Sequence, residues 1–315
     1  MKNGPWRLIF LGTPQFAVPS LKALLSAGED ILAVITQPDR PRGRGQKASP
    51  SPVKELALSH GLPVLQPVRL KDPEFVAALK DLTPELMVVT AYGRILTHEM
   101  LALPSVGFLN VHASLLPRHR GAAPINWALI RGDQETGVTI MWVTYEVDAG
   151  PIFLQERVPI DPEDNASSLA AKLAERGGAL LVQALEQLRR GEGRKIPQPE
   201  TGVTYAPPIT PEMRLIHWEQ SAPEVSGWIR GLDPQPGAYT LWQGQRLRLF
   251  GARVEKPAVG RSAAPGTALG LVQGRLEVAC GQGTVGLKEL QLAGHKRLPA
   301  ETFLRGQPLI GQVLG

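Results

Sequence analysis

Short apolar runs alternate with segments of helical spacing through the first 150 residues, and this alternation leaves few folds open to the chain. The runs have the length of buried strands and cover residues 7–11, 31–36, 86–91, 108–112 and 137–143. Gly12-Thr13-Pro14 ends the first run, and residues 16–27 then have the apolar spacing of a helix. The pattern predicts an α/β fold on a doubly wound, mostly parallel sheet, with functional residues outside the carboxyl ends of its strands.

The sequence changes character after residue 190. A leucine pattern over residues 166–189, interrupted at Gly177-Gly178, predicts a helix that closes a first domain. Residues 191–211 contain five prolines, which is typical of an extended linker. Short runs of alternating hydrophobicity then predict a small β-barrel, and they cover residues 245–250, 274–280 and 284–290. We therefore predict a first domain at 1–190, a linker at 191–211 and a second domain at 212–315.

Composition excludes several classes of protein and of site. Cys280 is the only cysteine among 315 residues, which rules out an intrachain disulfide and a cysteine-based metal site. No apolar run approaches the roughly 20 residues of a membrane span, and the first residues lack the pattern of a secretory signal, so we expect a cytoplasmic protein with no membrane partner. Metal-ligand spacing is also missing from the histidines, which are His60, His98, His112, His119, His217 and His295.

The positive charge is unevenly distributed. The formal net charge is +5, and residues 208–315 hold 12 basic against 8 acidic residues, so this last third carries +4 of it. An excess of this size fits a solvated surface as well as a nucleic-acid partner. Charge alone therefore does not distinguish a solvated surface from a surface that binds nucleic acid.

Asn110 and His112 form the first candidate for chemistry. They are two residues apart near the end of the run at 108–112, so on a strand their side chains project to the same face. An amide donor and an imidazole could together stabilise an oxyanion and move a proton, which are the requirements of acyl transfer. The Asn-x-His pattern is common, but here a loop rich in small residues follows, where a ligand can approach the backbone closely.

Asp148 is the second candidate and lies 36 residues after His112, just beyond the run at 137–143. A carboxylate near that imidazole would orient it and favour its charged form. An aspartate before Ala149-Gly150-Pro151 equally suits a turn without a chemical role. Spacing by itself leaves both interpretations open.

Longer motifs around these residues match a known family. The string HASLLPRHRGAAPINWALIRGDQETGVTIM, preceded by NV and followed by VDAGPI, resembles the signature of the folate-dependent formyltransferases. LGTPQFAVPSL at 11–21, TQPDRPRGRGQKASPSPVK at 36–54 and VTAYGRIL at 89–96 resemble, more narrowly, the methionyl-tRNA formyltransferases. The resemblance implies a Rossmann-like formyltransferase domain at 1–190 and an OB-like tRNA-binding domain at 212–315. It also implies a monomer that transfers formyl from 10-formyltetrahydrofolate to methionyl initiator tRNA without a metal.

The resemblance also implies site residues. Asn110, His112 and Asp148 take the places of the catalytic trio, and the segment Ser114, Leu115, Leu116, Pro117 takes that of part of the folate site. Asn110 and protonated His112 would stabilise the oxyanion that forms when the methionine amine attacks the formyl carbon. Asp148 would keep His112 charged and help to remove the surplus amine proton.

Basic residues provide candidate RNA contacts in both domains. The loop at 40–47 contains four cations and two glycines; alone it could be a solvated loop, but in the family it resembles such an insertion enters the acceptor end of the tRNA. The implied tRNA contacts are Arg40, Arg42, Arg44 and Lys47 in the first domain and Lys288, Lys296 and Arg297 in the second. Pro208 and His217 depart from the family pattern around the linker.

Three other functions compete with this interpretation. A dinucleotide-binding oxidoreductase would need small residues where Pro14 and Phe16 stand, so its fingerprint fails. A formyltransferase for another amine, such as a nucleotide sugar or glycinamide ribonucleotide, would share the trio, but the basic loop and the basic second domain argue against it. A non-catalytic RNA-binding module would not need an intact trio.

Overall fold

The computed structural model describes residues 2–42, 47–255 and 263–315, and these form two compact units. The chain passes between the units several times. The first unit comprises Met1–Ala122, Thr136–Val158 and Ala170–Tyr205, and the second comprises Ala123–Glu135, Pro159–Leu169 and Ala206–Gly315. The predicted domain boundaries at residues 190 and 212 stay a prediction, because the units do not correspond to a simple cut of the chain.

The first part of the chain alternates strands and helices, as the apolar runs predict. Its strands are β1 (Arg7–Gly12), β2 (Asp30–Ile35), β3 (Arg40–Arg42), β4 (Lys47–Ser49), β5 (Val64–Leu65), β6 (Leu86–Thr90), β7 (Gly107–His112), β8 (Glu135–Trp142) and β9 (Ile152–Pro159). Its helices are α1 (Val18–Ser26), α2 (Pro52–Ser59), α3 (Pro73–Asp81), α4 (His98–Leu101), α5 (Pro124–Ile130) and α6 (Ala166–Arg189), and a 3-10 turn at Gln15–Ala17 precedes α1.

Seven of these strands form one sheet in the order β5-β2-β1-β6-β7-β8-β9. The pairs β5/β2, β2/β1, β1/β6 and β6/β7 are parallel, whereas β7/β8 is antiparallel. Leu8, Ile9, Phe10 and Leu11 on β1 have no solvent exposure, although successive side chains point to opposite faces of a sheet. Both faces of the sheet are therefore covered there, as in α/β proteins, and the predicted mostly parallel sheet is confirmed.

Helix α6 runs without a break through Gly177 and Gly178, so the gap in the leucine pattern at this pair does not interrupt the predicted helix. Close packing explains the two glycines. A Cβ at Gly177 would lie 2.8 Å from Cγ1 of Val111 on β7, and one at Gly178 would lie 2.9 Å from the carbonyl oxygen of Pro19 on α1. The glycines let α6 approach the sheet and α1 more closely than any side chain allows.

The second unit contains an antiparallel sheet. Its strands are β10 (Tyr239–Trp242), β11 (Gln245–Glu255), β12 (Ala268–Val272), β13 (Arg275–Ala279), β14 (Thr284–Leu292) and β15 (Leu298–Pro299), in the order β10-β11-β14-β13-β12 with β15 on β14. Helices α7 (Ala222–Leu232) and α8 (Ala300–Gly306), a 3-10 turn at Glu212–Arg214 and the earlier helix α5 also belong to this unit. The three runs predicted as strands correspond to β11, β13 and β14, so the expected small β domain is confirmed as an antiparallel sheet.

Two further features bear on the sequence predictions. Residues 191–211 contain no helix or strand, only isolated bridges such as Ile152↔Ile196 and Arg120↔Tyr205. Among the residues that the structure describes, no helix is both long enough and apolar enough to cross a membrane.

The packing of α6 predicts whether a Gly→Ala substitution at Gly178 raises or lowers the free energy of unfolding. In a solvated helix, Gly→Ala stabilises by about 1 kcal/mol. For Gly178→Ala we expect instead a lower free energy of unfolding, by about 1 to 2 kcal/mol, because the added methyl overlaps the immobile Pro19 carbonyl. Ala179→Gly at the neighbouring exposed position is the matched control and should cost about 0.5 to 1 kcal/mol through helix propensity alone. Denaturant titration measures both, and a stabilised Gly178→Ala would contradict the packing argument.

Candidate active site

Strand β7 places Asn110 and His112 on one face at its carboxyl end. Asn110 pairs with Val89 on β6 and Met141 on β8, and His112 is the last residue of the strand, opposite Thr139. His112 is only 6% exposed. Paired backbone therefore holds Asn110 on both sides and His112 on the β8 side, which fixes the orientation of the two side chains.

The carboxylate of Asp148 joins these two side chains. Nδ2 of Asn110 donates to Oδ1 of Asp148 at 3.3 Å, and Nδ1 of His112 lies 3.6 Å from Oδ2, within ion-pair distance. The backbone N–H of Gly121 donates to the same Oδ2 at 2.9 Å. The three predicted trio residues therefore meet at one place, and Gly121 is a fourth participant that sequence reasoning missed.

The second ring nitrogen of His112 is also engaged. Its Nε2 lies 3.0 Å from the carbonyl oxygen of His119, so oxygen atoms that can only accept face both sides of the imidazole. An imidazole held in this way beside the Asn110 amide is a suitable arrangement for stabilising negative charge.

Asp148 stands in a turn as well as next to His112. Its φ of +50° lies in the left-handed region, which aspartate tolerates better than most residues. Two residues later, a Cβ at Gly150 would overlap the Trp142 carbonyl oxygen, so only glycine lets this loop lie against β8. The two interpretations left open by spacing are compatible, because the turn is what directs the carboxylate at His112.

The segment from Ser114 to Pro117 is fixed from behind by Thr139 on β8. The Thr139 hydroxyl donates to the Ser114 carbonyl at 2.6 Å and accepts from the Leu116 N–H at 3.2 Å. Gln155 on β9 donates to the Leu116 carbonyl at 2.8 Å, and the Ser114 hydroxyl donates to the Arg118 carbonyl at 2.6 Å. Ser114 and Leu116 are buried, whereas Leu115 and Pro117 are partly exposed. The segment is a preformed wall beside His112.

The basic loop is more regular than its sequence indicates. Arg40–Arg42 and Lys47–Ser49 pair as the antiparallel hairpin β3/β4, because both triplets are extended and in register, with Arg42 opposite Lys47. The loop prediction for 40–47 is therefore wrong for these residues. Arg44 lies outside the described residues, and for Arg40, Arg42 and Lys47 the structure describes the backbone only.

A polar cluster anchors the base of this hairpin. Nζ of Lys54 on α2 lies 2.6 Å from Oδ2 of Asp39, and Nε2 of Gln66 donates to Oδ1 at 2.8 Å. These two hydrogen bonds, that of Lys54 first, lower the pKa of Asp39 below its ordinary value. Asp39 is therefore a fixed anion directly before the cations of the hairpin.

The three candidate tRNA contacts in the second unit have different surroundings. Lys288 lies on β14 at a cavity of about 440 Å³ that Arg253 and Arg275 also line. Lys296 is exposed. Arg297 forms ion pairs with Glu289 and Asp233, and its guanidinium lies 3.9 Å from the ring centre of Phe250. Lys288 and Lys296 thus present charge to solvent, whereas much of the Arg297 charge is already compensated.

Comparison with known proteins identifies the family. The formyl transferase family matches residues 6–185, and the formyl transferase C-terminal domain matches residues 208–308. Methionyl-tRNA formyltransferase from Moorella thermoacetica is 51% identical over 311 residues, which covers 98% of this chain and 99% of the relative. The chain belongs to the methionyl-tRNA formyltransferase family. A second member, from Pelotomaculum thermopropionicum, is 47% identical over 98% of both chains.

Solved structures share the fold at much lower identity. HypX from Aquifex aeolicus in complex with tetrahydrofolic acid has a TM-score of 0.66 at 21% identity over 96% of this chain and 47% of HypX. The N-formyltransferase from Helicobacter canadensis, in complex with folinic acid and dTDP-3-aminofucose, has a TM-score of 0.67 at 16% identity over 93% of this chain and 100% of its own. The architecture of methionyl-tRNA formyltransferases thus extends to proteins of distant sequence.

The support behind the Ser114–Pro117 wall is testable. Thr139→Val keeps the volume of a fully buried side chain but leaves the Leu116 N–H and the Ser114 carbonyl without their partner. We expect the free energy of unfolding to fall by about 1 to 3 kcal/mol, which is the cost of unsatisfied buried polar groups. Thr201→Val, at an exposed position of the same unit, should change it by less than about 0.5 kcal/mol. Equal stabilities of the two variants in chemical denaturation would refute a supporting role for the hydroxyl.

Proposed function

We propose that this protein transfers the formyl group of 10-formyltetrahydrofolate to the free amino group of methionyl initiator tRNA, giving N-formylmethionyl-tRNA for translation initiation. The observation that carries the proposal is the Asn110–His112–Asp148 constellation in a chain 51% identical to a named methionyl-tRNA formyltransferase. The folate donor is further supported by the tetrahydrofolic acid and folinic acid named for two proteins of the same fold.

The geometry suits formyl transfer through a tetrahedral intermediate. The methionine amine attacks the formyl carbon, the new C–N bond forms, and the carbonyl oxygen becomes negative. Asn110 uses one amide N–H on Asp148 and has a second for that oxygen, while the His112 cation supplies positive charge beside it. The bond from the formyl carbon to N10 then breaks, and tetrahydrofolate leaves with the proton that the amine has lost.

Asp148 has two roles in this scheme. Its carboxylate orients His112 through Nδ1 and Asn110 through Nδ2, and it accepts through water the proton released from the amine. Its side chain is 14% exposed, so water can reach it. No metal is required, and within the described residues no group of three or more His, Cys, Asp or Glu side chains is arranged to hold one. Because all three trio residues come from one chain, a monomer is sufficient.

The choice of acceptor separates this function from its rival, a formyltransferase that acts on another amine such as a nucleotide sugar. The deciding experiment measures formyl transfer from 10-formyltetrahydrofolate to methionyl initiator tRNA, to methionyl elongator tRNA and to free methionine. Rapid product with the initiator alone is expected. Folate binding without product on any of the three would contradict the tRNA acceptor and favour the rival.

His112 and Asp148 give the sharpest prediction about chemistry. His112→Ala and Asp148→Ala should each lower kcat by about 10²- to 10⁴-fold, because charge stabilisation and proton transfer are lost together. His60→Ala, at an exposed histidine directly after α2, should keep full activity. Single-turnover rates measure the effect, and circular dichroism checks that the variants remain folded. Near-normal rates in either trio variant would refute the assignment.

Basic residues of the segment 40–47 are proposed to contact the acceptor end of the tRNA, and Arg44 is the one that occupies the central position of the family motif. Arg44→Ala should raise the apparent KM for tRNA at least about fivefold and leave that for folate unchanged, and it should reduce the salt dependence of tRNA binding. Lys22→Ala on α1 removes an exposed cation from the same unit and serves as the control. Equal changes in both KM values for Arg44→Ala would contradict an RNA contact.

A further inference from the structure

Gln198 stands out within the proline-rich segment that sequence analysis assigned to a linker. Between residues 191 and 202, all of which the structure describes, it is the single residue that is not exposed. A linker glutamine without a role would be solvated like its neighbours. Its partial burial therefore indicates that the side chain contacts other parts of the protein.

The Gln198 carboxamide forms four hydrogen bonds. Its Nε2 donates to the carbonyl oxygens of Asp148 and Gly150, both at 2.8 Å. Its Oε1 accepts from Nε and Nη2 of Arg120 at 3.0 and 2.8 Å. A primary amide has two N–H donors and one oxygen with two lone pairs, so its entire capacity is used.

The partners fix which end of the amide points where. The Arg120 guanidinium can only donate and the two carbonyls can only accept, so oxygen must face arginine and nitrogen must face the turn. Glutamate has nearly the same shape and would satisfy Arg120, but it would place negative oxygen against two carbonyl oxygens. The site therefore requires an amide chemically, beyond requiring its volume.

Through its hydrogen bonds, Gln198 connects the turn at Asp148 and Gly150, which directs the catalytic carboxylate, to Arg120 in the loop after β7. Asp148 has the left-handed φ described above, a conformation that persists only where surrounding contacts enforce it. Gly121, next to Arg120 in sequence, donates to the Asp148 carboxylate, and the Arg120 N–H donates to the Thr204 carbonyl at 2.9 Å. One short stretch of the supposed linker thus joins the loop after β7 to the loop after β8.

We infer that Gln198, held by Arg120, is a positioning residue for formyl transfer: it fixes the backbone at Asp148 and Gly150, and through it the Asp148 carboxylate against His112 and Asn110. The inference rests on the proposed function. Because a displacement of about 1 Å of a reacting group can cost two orders of magnitude in rate, losing the amide should affect turnover more than binding.

Two substitutions of Gln198 separate positioning from space filling. Gln198→Glu and Gln198→Ala should each lower kcat about 10- to 100-fold, with KM values for folate and tRNA within about twofold of those of the wild type. The same two changes at Gln183, an exposed glutamine on α6, are the matched controls and should leave kcat within twofold. A Gln198→Glu protein with wild-type kcat would overturn the inference, because a space-filling residue tolerates glutamate.

Hydrogen exchange provides a readout that does not depend on activity. In Gln198→Glu the backbone amides of residues 144–150 should exchange at least about fivefold faster than in the wild type, whereas those of β1 should not change. Unchanged exchange at 144–150 would also overturn the inference. A wild-type protein that transfers no formyl group would instead overturn the proposed function, and the exchange result would still show whether Gln198 holds the turn.

Discussion

The Asp148 carboxylate accepts hydrogen bonds from Asn110 on β7 and from the Gly121 backbone, and it lies at ion-pair distance from His112. Each contact depends on a different part of the chain being in place. The strand has to be paired on both sides, the loop after it has to return to the carboxylate, and the turn after β8 has to adopt its left-handed residue. One anion thus connects the sheet to two loops, and its position reports whether all three are correctly folded.

The sequence predicts this site only in part, and the reason is physical. A period of two places Asn110 and His112 on one face of any strand, so their juxtaposition follows from local spacing. Asp148 reaches them through an antiparallel strand and a turn, and the sequence pattern indicated the strand but not its direction. Gln198 carries no local signal, since its role arises from carbonyl groups 50 and 48 residues earlier in the chain. The fold was predictable because a buried strand is apolar in sequence whichever strand it pairs with, so the apolar runs identify the strands.

The roles of two glycines in α6 and of the basic residues in the second unit were harder to predict from the sequence than the strands were. Gly177 and Gly178 reduce helix propensity, but a flat helix surface at these residues permits contact with Val111 and Pro19, and packing outweighs propensity. Basic residues likewise differ by context: the charge of Arg297 is compensated by Glu289 and Asp233, whereas Lys296 is exposed. Amino-acid composition counts Arg297 and Lys296 as equal positive charges. Only the structure distinguishes a cation that forms ion pairs within the protein from one whose charge is available to a phosphate.

Helix α5 has a consequence for how the chain is made. By its contacts it belongs to the second unit, where Asn126 donates to the Gly231 carbonyl and Gly227 of α7 closely approaches the Leu129 carbonyl. The ribosome therefore completes α5 long before α7, with 91 residues between the two helices. During synthesis α5 lacks this partner until α7 has been made, so the second unit cannot complete its packing before then, and contacts of such long sequence separation slow folding.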